Sequence, residues 1–204
     1  MTALGRMRVF NVSAQFAVFA WAIVACFSHA ATPLNRLVLS PTQFGPLPLT
    51  SNAMVSEAGL RQLFPDLKIK YEIGQGDSPD FHYFEGTDKQ GNLIFAIKSF
   101  IEGESGNQQK SAAPVPLQLL EIFSPKVKDI HGVRVGGRVR DIVSKRGKNL
   151  EFGASHFDVF LGGASIYYNV ATGKEQSPER LKLKDAEDKN WKIRSISWPS
   201  PAWE

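Results

Sequence analysis

The stretch Leu67-Lys-Ile-Lys-Tyr-Glu-Ile73 alternates apolar and charged residues without a break. A period of two places the apolar side chains on one face of a β-strand and the charged side chains on the other. This stretch therefore predicts a half-buried strand, with one face against a core and the other toward solvent.

Strand-like segments continue on the C-terminal side of this stretch. Residues 81–85 lead to a hairpin-type turn at 88–92, and 93–100 alternates less cleanly, as a central strand does. Later segments of the same kind lie at 117–123, 156–161, 166–170 and 191–198. Together these segments predict a sheet that is mainly antiparallel.

Two short helical segments interrupt the strands. Ser56 is a suitable N-cap for a helix through Leu60, and Pro65 ends that helix. Residues 139–147 follow helical spacing after a pair of glycines. The predicted fold class is α+β, mainly antiparallel sheet with one or two short helices packed on it.

The N-terminal segment has the pattern of a secretory signal peptide. Arg6 and Arg8 precede an uninterrupted apolar run at 16–27, and the small residues at 28–31 follow. A basic start, an apolar run of about 7–15 residues and a small-residue exit are typical of such a signal. A bilayer span needs about 20 apolar residues, so this run is too short for one. The pattern predicts export.

Two processing routes compete at the end of this run. Conventional cleavage would use Ser28 and Ala30 as the small residues and release the chain at Ala31. Alternatively, residues 23–26 (Ile-Val-Ala-Cys) act as a bacterial lipobox, and Cys26 becomes the acylated first residue. Both routes fit the residues, so the signal peptide is predicted to end at Cys26 or at Ala30.

The remainder of the chain is predicted to form one domain. A tether at 27–36 leads into a single α+β domain at 37–204, with a mobile loop at 102–116. This part contains no cysteine, so a core and not disulfides must stabilise it. Two of the 24 Lys and Arg residues lie in the signal, which leaves 22 basic against 20 acidic residues, a net charge of +2. Mild charge and export both argue against a nucleic-acid partner.

The sequence offers little support for catalysis. Ser155, His156 and Asp158 come nearest to a hydrolytic set. However, neighbouring strand residues point to opposite faces, so Ser155 and His156 cannot easily meet as nucleophile and base. No spacing fits a zinc site, and no glycine-rich segment fits a phosphate loop. The protein is therefore predicted not to be an enzyme and to hold no metal or cofactor.

A polar loop at 74–80 is a predicted place for partner contact. His82 follows this loop, close in sequence to Asp77 and Asp80. Exposed loops often carry binding residues, although plain exposure to solvent is the simpler interpretation for any single loop. Asp77, Asp80 and His82 are therefore candidate partner-binding residues.

Three of the four tryptophans lie near the C-terminal end. Trp191 and Trp198 are predicted to close the core, because indoles in strands usually pack there. Trp191 and Ile193 share one strand face, whereas Ile196 and Trp198 share the other, so both faces are covered or a β-bulge intervenes. Trp203 lies beyond two prolines, and we predict that it is exposed and available to a partner.

Several segments match a known protein family. The closest is Asp-Lys-Asn-Trp-Lys-Ile-Arg-Ser-Ile-Ser-Trp at 188–198, followed by Gly-Val-Arg-Val-Gly at 132–136. With the signal, Cys26 and residues 56–65, they resemble the DUF1131 family of YfeY-like, RpoE-regulated envelope lipoproteins. This chain lacks the cysteine pair of many relatives and has its own hairpin at 155–165. The resemblance implies a non-enzymatic envelope lipoprotein and favours acylation of Cys26.

Two functions from different classes follow. The first is an exported envelope lipoprotein with a non-catalytic binding or maintenance domain, periplasmic and attached to the outer membrane by its lipid anchor. The second is a periplasmic inhibitor or immunity protein that blocks a cell-wall hydrolase by inserting loop 74–80 or loop 102–116. The predicted partners are the membrane, through the anchor, and a periplasmic protein.

Overall fold

The computed structural model describes residue 34 and residues 37–75, 80–101, 113–147, 149–154, 158–172 and 181–199. All of them belong to one compact unit, Ala31–Glu204. Cys26, Asp77, Ser155, His156 and Trp203 lie outside the described residues.

The described residues contain strands and three short helices. The strands are β1 (Val38–Leu39), β2 (Gln43–Phe44), β3 (Leu47–Pro48), β4 (Met54–Val55), β5 (Lys68–Gly74), β6 (Phe81–Thr87), β7 (Leu93–Phe100), β8 (Val115–Pro116), β9 (Leu119–Ile122), β10 (Lys128–Asp129), β11 (Glu151–Ala154), β12 (Asp158–Gly163), β13 (Ile166–Ala171) and β14 (Ile193–Trp198). The helices are α1 (Glu57–Leu63), α2 (Val139–Arg146) and α3 (Leu183–Asp188).

One large sheet organises the fold. Its eight strands run in the order β11-β12-β13-β14-β9-β7-β6-β5, and every neighbouring pair is antiparallel. A four-stranded sheet, β10-β1-β2-β3, and a two-stranded sheet, β4-β8, accompany it. The predicted α+β class with a mainly antiparallel sheet is confirmed.

The inner face of the large sheet packs against the helices and the small sheets. Apolar side chains from alternate positions of its strands join Leu60 of α1, Ile142 of α2 and Ala186 of α3 in one core. Helix α1 begins where the sequence predicts, since the Ser56 hydroxyl accepts the N–H of Gly59 at 3.1 Å.

A β-bulge explains the two-faced pattern of the last strand. Asn169 pairs with Ser195, but the next residue of β13 pairs with Ile193, which leaves Arg194 as the extra residue. The bulge changes the phase of the alternation, so Ile193 joins Ile196 and Trp198 in the core. Trp198 also donates its indole N–H to the carbonyl of Pro41 at 2.7 Å. The predicted core role of Trp198 is confirmed.

Three local features differ from the sequence-based expectation. The late hairpin turns at Ala164-Ser165, with φ values of 49° and 67°, although glycine is the residue expected in this left-handed conformation and a Gly162-Gly163 pair directly precedes the turn. Residues 151–154 form a strand of their own, and α3 follows a segment with no clear helical period. Residues 115–116 were predicted to be the end of the loop at 102–116, but they form β8 and pair with β4, where Val115 is buried. Residues 102–112 of this loop lie outside the described part.

A buried carboxylate connects the small sheet to the large one. Asp129, at the end of β10, is 1% exposed. Its Oδ1 accepts the backbone N–H groups of His131 and Val133 at 2.9 and 2.8 Å, and its Oδ2 accepts the hydroxyl of Tyr168 from β13. The left-handed φ of +75° at Gly132 allows the chain to fold around the carboxylate.

Helix α2 completes this network. Arg146, in its last turn, donates to the carbonyls of Ile166 at 3.0 Å and Gly163 at 2.8 Å, and its guanidinium lies 5.4 Å from the Tyr168 ring centre. Burial and the Asp129 carboxylate hold the pKa of Tyr168 above its ordinary value, so the hydroxyl remains a donor. Sheet, loop and helix are thus joined through one buried charge.

We predict that Tyr168→Phe destabilises the protein by about 1–3 kcal/mol, because one oxygen of the buried Asp129 carboxylate loses its donor. Urea denaturation measures the change in the free energy of unfolding. Tyr71→Phe is the matched control. The Tyr71 hydroxyl bonds His82, which is only half-buried, so water can replace the lost hydrogen bond. The expected decrease in the free energy of unfolding is therefore below about 1 kcal/mol. Equal costs for the two variants would contradict the structural role given to Asp129.

Candidate functional site

The described members of the predicted partner-binding set lie at the start of β6. The backbone carbonyl of Asp80 accepts the N–H of Ile101, and His82 is half-buried. The Tyr71 hydroxyl lies 2.9 Å from His82 Nδ1, and the two rings stack with centroids 6.0 Å apart. Burial lowers the pKa of His82 below its ordinary value of 6.5. The structure thus gives His82 a partner within the fold, and its proposed contact with another protein stays a prediction.

The residues first considered for hydrolysis are only partly described. Asp158, on β12, lies 3.1 Å from a guanidinium nitrogen of Arg194, the residue at the bulge of β14. This carboxylate therefore neutralises a cation of a strand two positions away in the sheet. Among the described residues, no group of three or more His, Cys, Asp or Glu side chains is placed to hold a metal ion.

The strongest candidate for a binding site lies on the outer face of the large sheet, opposite the core. The pairings place Glu151, Gly162, Tyr167, Ser197 and Glu121 in one row across five strands. A neighbouring row crosses four strands and runs through Gly153, Phe160, Asn169 and Ser195. Side chains in these rows point away from the core because they alternate with the inward apolar residues.

A glycine allows the first row to form a pocket. A Cβ at Gly162 would lie 2.6 Å from Cδ1 of Tyr167 and 2.4 Å from the carbonyl oxygen of Ile166. The Tyr167 ring therefore lies over Gly162, and its hydroxyl reaches across β12 to donate to the Glu151 carboxylate on β11. A cavity of about 200 Å³ opens beside it. Its walls are Glu151, Phe152, Gly153, Phe160 and Tyr167.

Two buried polar atoms lie beside this pocket without a partner. Asn169 is 7% exposed and Ser197 is 3% exposed. In the described part of the chain, neither Asn169 Oδ1 nor Ser197 Oγ has a hydrogen-bond partner. Tyr167 lies directly opposite Ser197 and two residues before Asn169 on the same strand face. We call Glu151, Phe160, Tyr167, Asn169 and Ser197 the outer-face site.

Charges next to the outer-face site are paired. Lys98 lies 3.3 Å from Glu121, which also accepts the hydroxyl of Ser195 at 3.3 Å. Burial, followed by the carboxylates of Glu85, Glu121 and Glu72, raises the pKa of Tyr83 to about 12, so this phenol stays neutral at physiological pH. Among these described groups, Lys98 and Glu121 thus balance each other and Tyr83 is uncharged, which leaves the Glu151 carboxylate as the charge within the outer-face site.

Aromatic rings lie at the other end of the same face. Phe81 contacts Tyr83 and Phe100, with ring centroids 5.8 and 6.2 Å apart, and Lys98 lies 5.5 Å above the Phe81 ring. Phe100 is 42% exposed. Aromatic surface therefore lies on both sides of the polar centre of the face.

No pattern in the sequence alone identifies the outer-face site. A weak signal was present, since Ser195 and Ser197 are small polar residues at alternate positions of a strand whose other residues, apart from Arg194, are apolar. Serine in a core-like strand does not by itself indicate a ligand. Only the pairing of β13 with β14 brings Asn169 and Ser197 onto one face beside Tyr167.

The fold is similar to that of a protein of known structure. No protein-family model matches the chain, and no curated protein sequence matches it. The crystal structure of the uncharacterized protein YfeY from Escherichia coli superposes with a TM-score of 0.54 at 19% sequence identity, over 79% of this chain and 99% of that chain. At this identity the likeness is one of fold. The chain thus has a YfeY-like architecture.

We predict that acid weakens the fold partly through His82. Its folded-state pKa lies below 6.5, so as the pH falls below about 6.5 the unfolded chain binds the proton first and the free energy of unfolding decreases. NMR titration of the ring should give a pKa below that of the same histidine in urea. His82→Gln should remove this part of the pH dependence, while the acid titration of carboxylates remains. A ring pKa at or above the value in urea would contradict the effect of burial.

Proposed function

We propose that this protein is an exported, non-catalytic binding module of the bacterial cell envelope, anchored to a membrane through a lipid on Cys26. The outer-face site carries the binding part of this proposal. Native proteins rarely leave buried polar atoms without partners, so each such atom calls for a functional or structural explanation, and a bound ligand is one that explains both atoms together. Asn169 Oδ1 and Ser197 Oγ are two such atoms on one face.

Export and anchoring rest on the N-terminal residues. The basic start, the apolar run at 16–27 and the small residues after it are those of a secretory signal. Residues 23–26 supply a lipobox, and the chain has no other cysteine that could take the lipid. Among the described residues, no helix is both long and apolar enough to span a bilayer.

Membership of the DUF1131 family is part of the proposal. The segments at 132–136 and 188–198 carry the sequence resemblance, and the YfeY-like fold is consistent with it. The two segments are also neighbours in the structure. The N–H of Gly136 donates to the carbonyl of Ile193 at 2.9 Å, and the N–H of Ile193 donates to the carbonyl of Gly137 at 2.8 Å. Because these hydrogen bonds join the two segments, both contribute to the same part of the fold.

The roles of the polar side chains favour binding over catalysis. The Asp129 carboxylate accepts three hydrogen bonds inside the fold, and Asp158 pairs with Arg194. Catalytic groups need a pKa near the working pH. Tyr83 and Tyr168 have raised pKa values, so both phenols remain protonated far from that range.

The anchor is tested at Cys26. We expect the N-terminal peptide of the mature protein to begin at Cys26 and to carry fatty acyl groups, which mass spectrometry detects directly. Cys26→Ser should abolish the acylated peptide, because the residue that takes the lipid is gone. The protein should then move from the detergent phase to the aqueous phase, since its durable membrane attachment depends on those lipid chains.

Ala30→Leu is the reciprocal control. It blocks conventional cleavage, which needs a small residue at that position, but leaves the lipobox intact. A lipoprotein should therefore mature normally in this variant and should accumulate as a precursor when globomycin is added. A wild-type protein with a free Ala31 terminus would overturn the anchor.

A further inference from the structure

We propose that the outer-face site binds a neutral, polyhydroxylated ligand, such as one ring of an oligosaccharide chain. The inference deepens the proposed function, because it names the ligand class of the same site. It rests on the two unpaired polar atoms, the neighbouring pocket and the paired charges around them.

The unpaired atoms set the hydrogen-bonding character of the ligand. A carboxamide oxygen only accepts, and a serine hydroxyl both donates and accepts. A ligand that satisfies Asn169 Oδ1 must therefore carry a hydrogen-bond donor. A ligand that also satisfies Ser197 Oγ binds best if it carries a donor and an acceptor close together. Adjacent hydroxyl groups of a sugar have both properties.

The charges argue for a neutral ligand. Among the described residues, Lys98 pairs with Glu121 and Arg194 pairs with Asp158, so these two cations beside the site are already neutralised. Glu151 accepts the hydroxyl of Tyr167 and adds negative charge to the pocket. An anionic ligand would meet these carboxylates without a free counter-charge from the described residues, whereas hydroxyl groups can donate to them.

The pocket suits one ring-sized unit. Its volume of about 200 Å³ is below the roughly 300–1,000 Å³ typical of pockets that enclose a whole drug-sized molecule. Phe160 and Tyr167 supply aromatic walls, whose faces carry partial negative charge and attract the polarised C–H groups of a sugar. Tyr167, which lines this pocket, lies directly opposite Ser197 and two residues before Asn169 on the same strand face, so the pocket adjoins the two unpaired atoms.

The position within the sheet favours a ligand that lies across the face. An extended peptide adds to a sheet through the backbone groups of an edge strand. Asn169 and Ser197 lie instead on β13 and β14, which are paired on both sides. Their free hydrogen-bonding capacity is in side chains, so a ligand must approach from above the sheet.

The test is a titration of the mature protein, purified from cells, with chitohexaose and with maltohexaose. We expect saturable binding of an oligosaccharide, followed by NMR shifts of the Asn169 side-chain amide. Ser197→Ala and Asn169→Ala should each raise the dissociation constant by about tenfold or more, since each removes a hydrogen bond to the ligand. Ser99→Ala, at a buried serine on the inner side of the same sheet, should bind as the wild type does.

Thermal unfolding separates a binding role from a structural one. Because Ser197 Oγ has no partner in the free protein, Ser197→Ala should keep or raise the melting temperature while it weakens binding. A Ser197→Ala variant that loses melting temperature and binding together would overturn the assignment of this hydroxyl to a ligand.

Two further results would overturn the inference. One is the absence of saturable binding to both oligosaccharides, or binding that neither variant alters. The other is that the protein binds a neutral peptide of alternating serine and valine and that Ser197→Ala and Asn169→Ala abolish this binding. In that case the protein would still be a binding module, but its ligand would be a peptide. Acylation of Cys26 is measured separately, so its failure is distinguishable from failure of the ligand class.

Discussion

The buried carboxylate of Asp129 is the interaction on which the rest of the structure depends. A charge taken out of water is costly unless hydrogen bonds replace its hydration. Three donors do so here: two backbone N–H groups of the loop after β10 and the hydroxyl of Tyr168. These donors come from different parts of the chain, so the carboxylate is satisfied only when the small sheet, the loop and the large sheet are assembled together.

The two faces of the large sheet have different roles because different forces act on them. The inner face is apolar and holds the helices and small sheets through burial of hydrophobic surface. The outer face has small polar residues at its centre and aromatic rings on both sides, and two of its ion pairs, Lys98–Glu121 and Arg194–Asp158, join different strands. The bulge at Arg194 allows one strand to serve both faces, since it brings Ile193 into the core while Ser195 and Ser197 stay outside.

Local sequence was sufficient where a short segment forms its own structure. The period of two at 67–73 predicted β5, Ser56 and Pro65 predicted the limits of α1, and the 88–92 turn forms around the Asp88 carboxylate. The C-terminal resemblance agrees with the YfeY-like fold. Local sequence failed at α3, which has no clear apolar period, and at the late hairpin, where Ala164 and Ser165 adopt the left-handed turn in place of glycine.

Residues close together in the chain were sufficient to predict the fold class and the main strands, and the N-terminal residues carry the prediction of export and lipid attachment. Tertiary structure decided the candidate site. Asn169 and Ser197 lie 28 positions apart in the sequence, and nothing in the sequence connects them. Their side chains share a face with Tyr167 only because β13 pairs with β14. Their missing hydrogen bonds are likewise a property of the packed sheet, since an unfolded chain would satisfy the same groups with water.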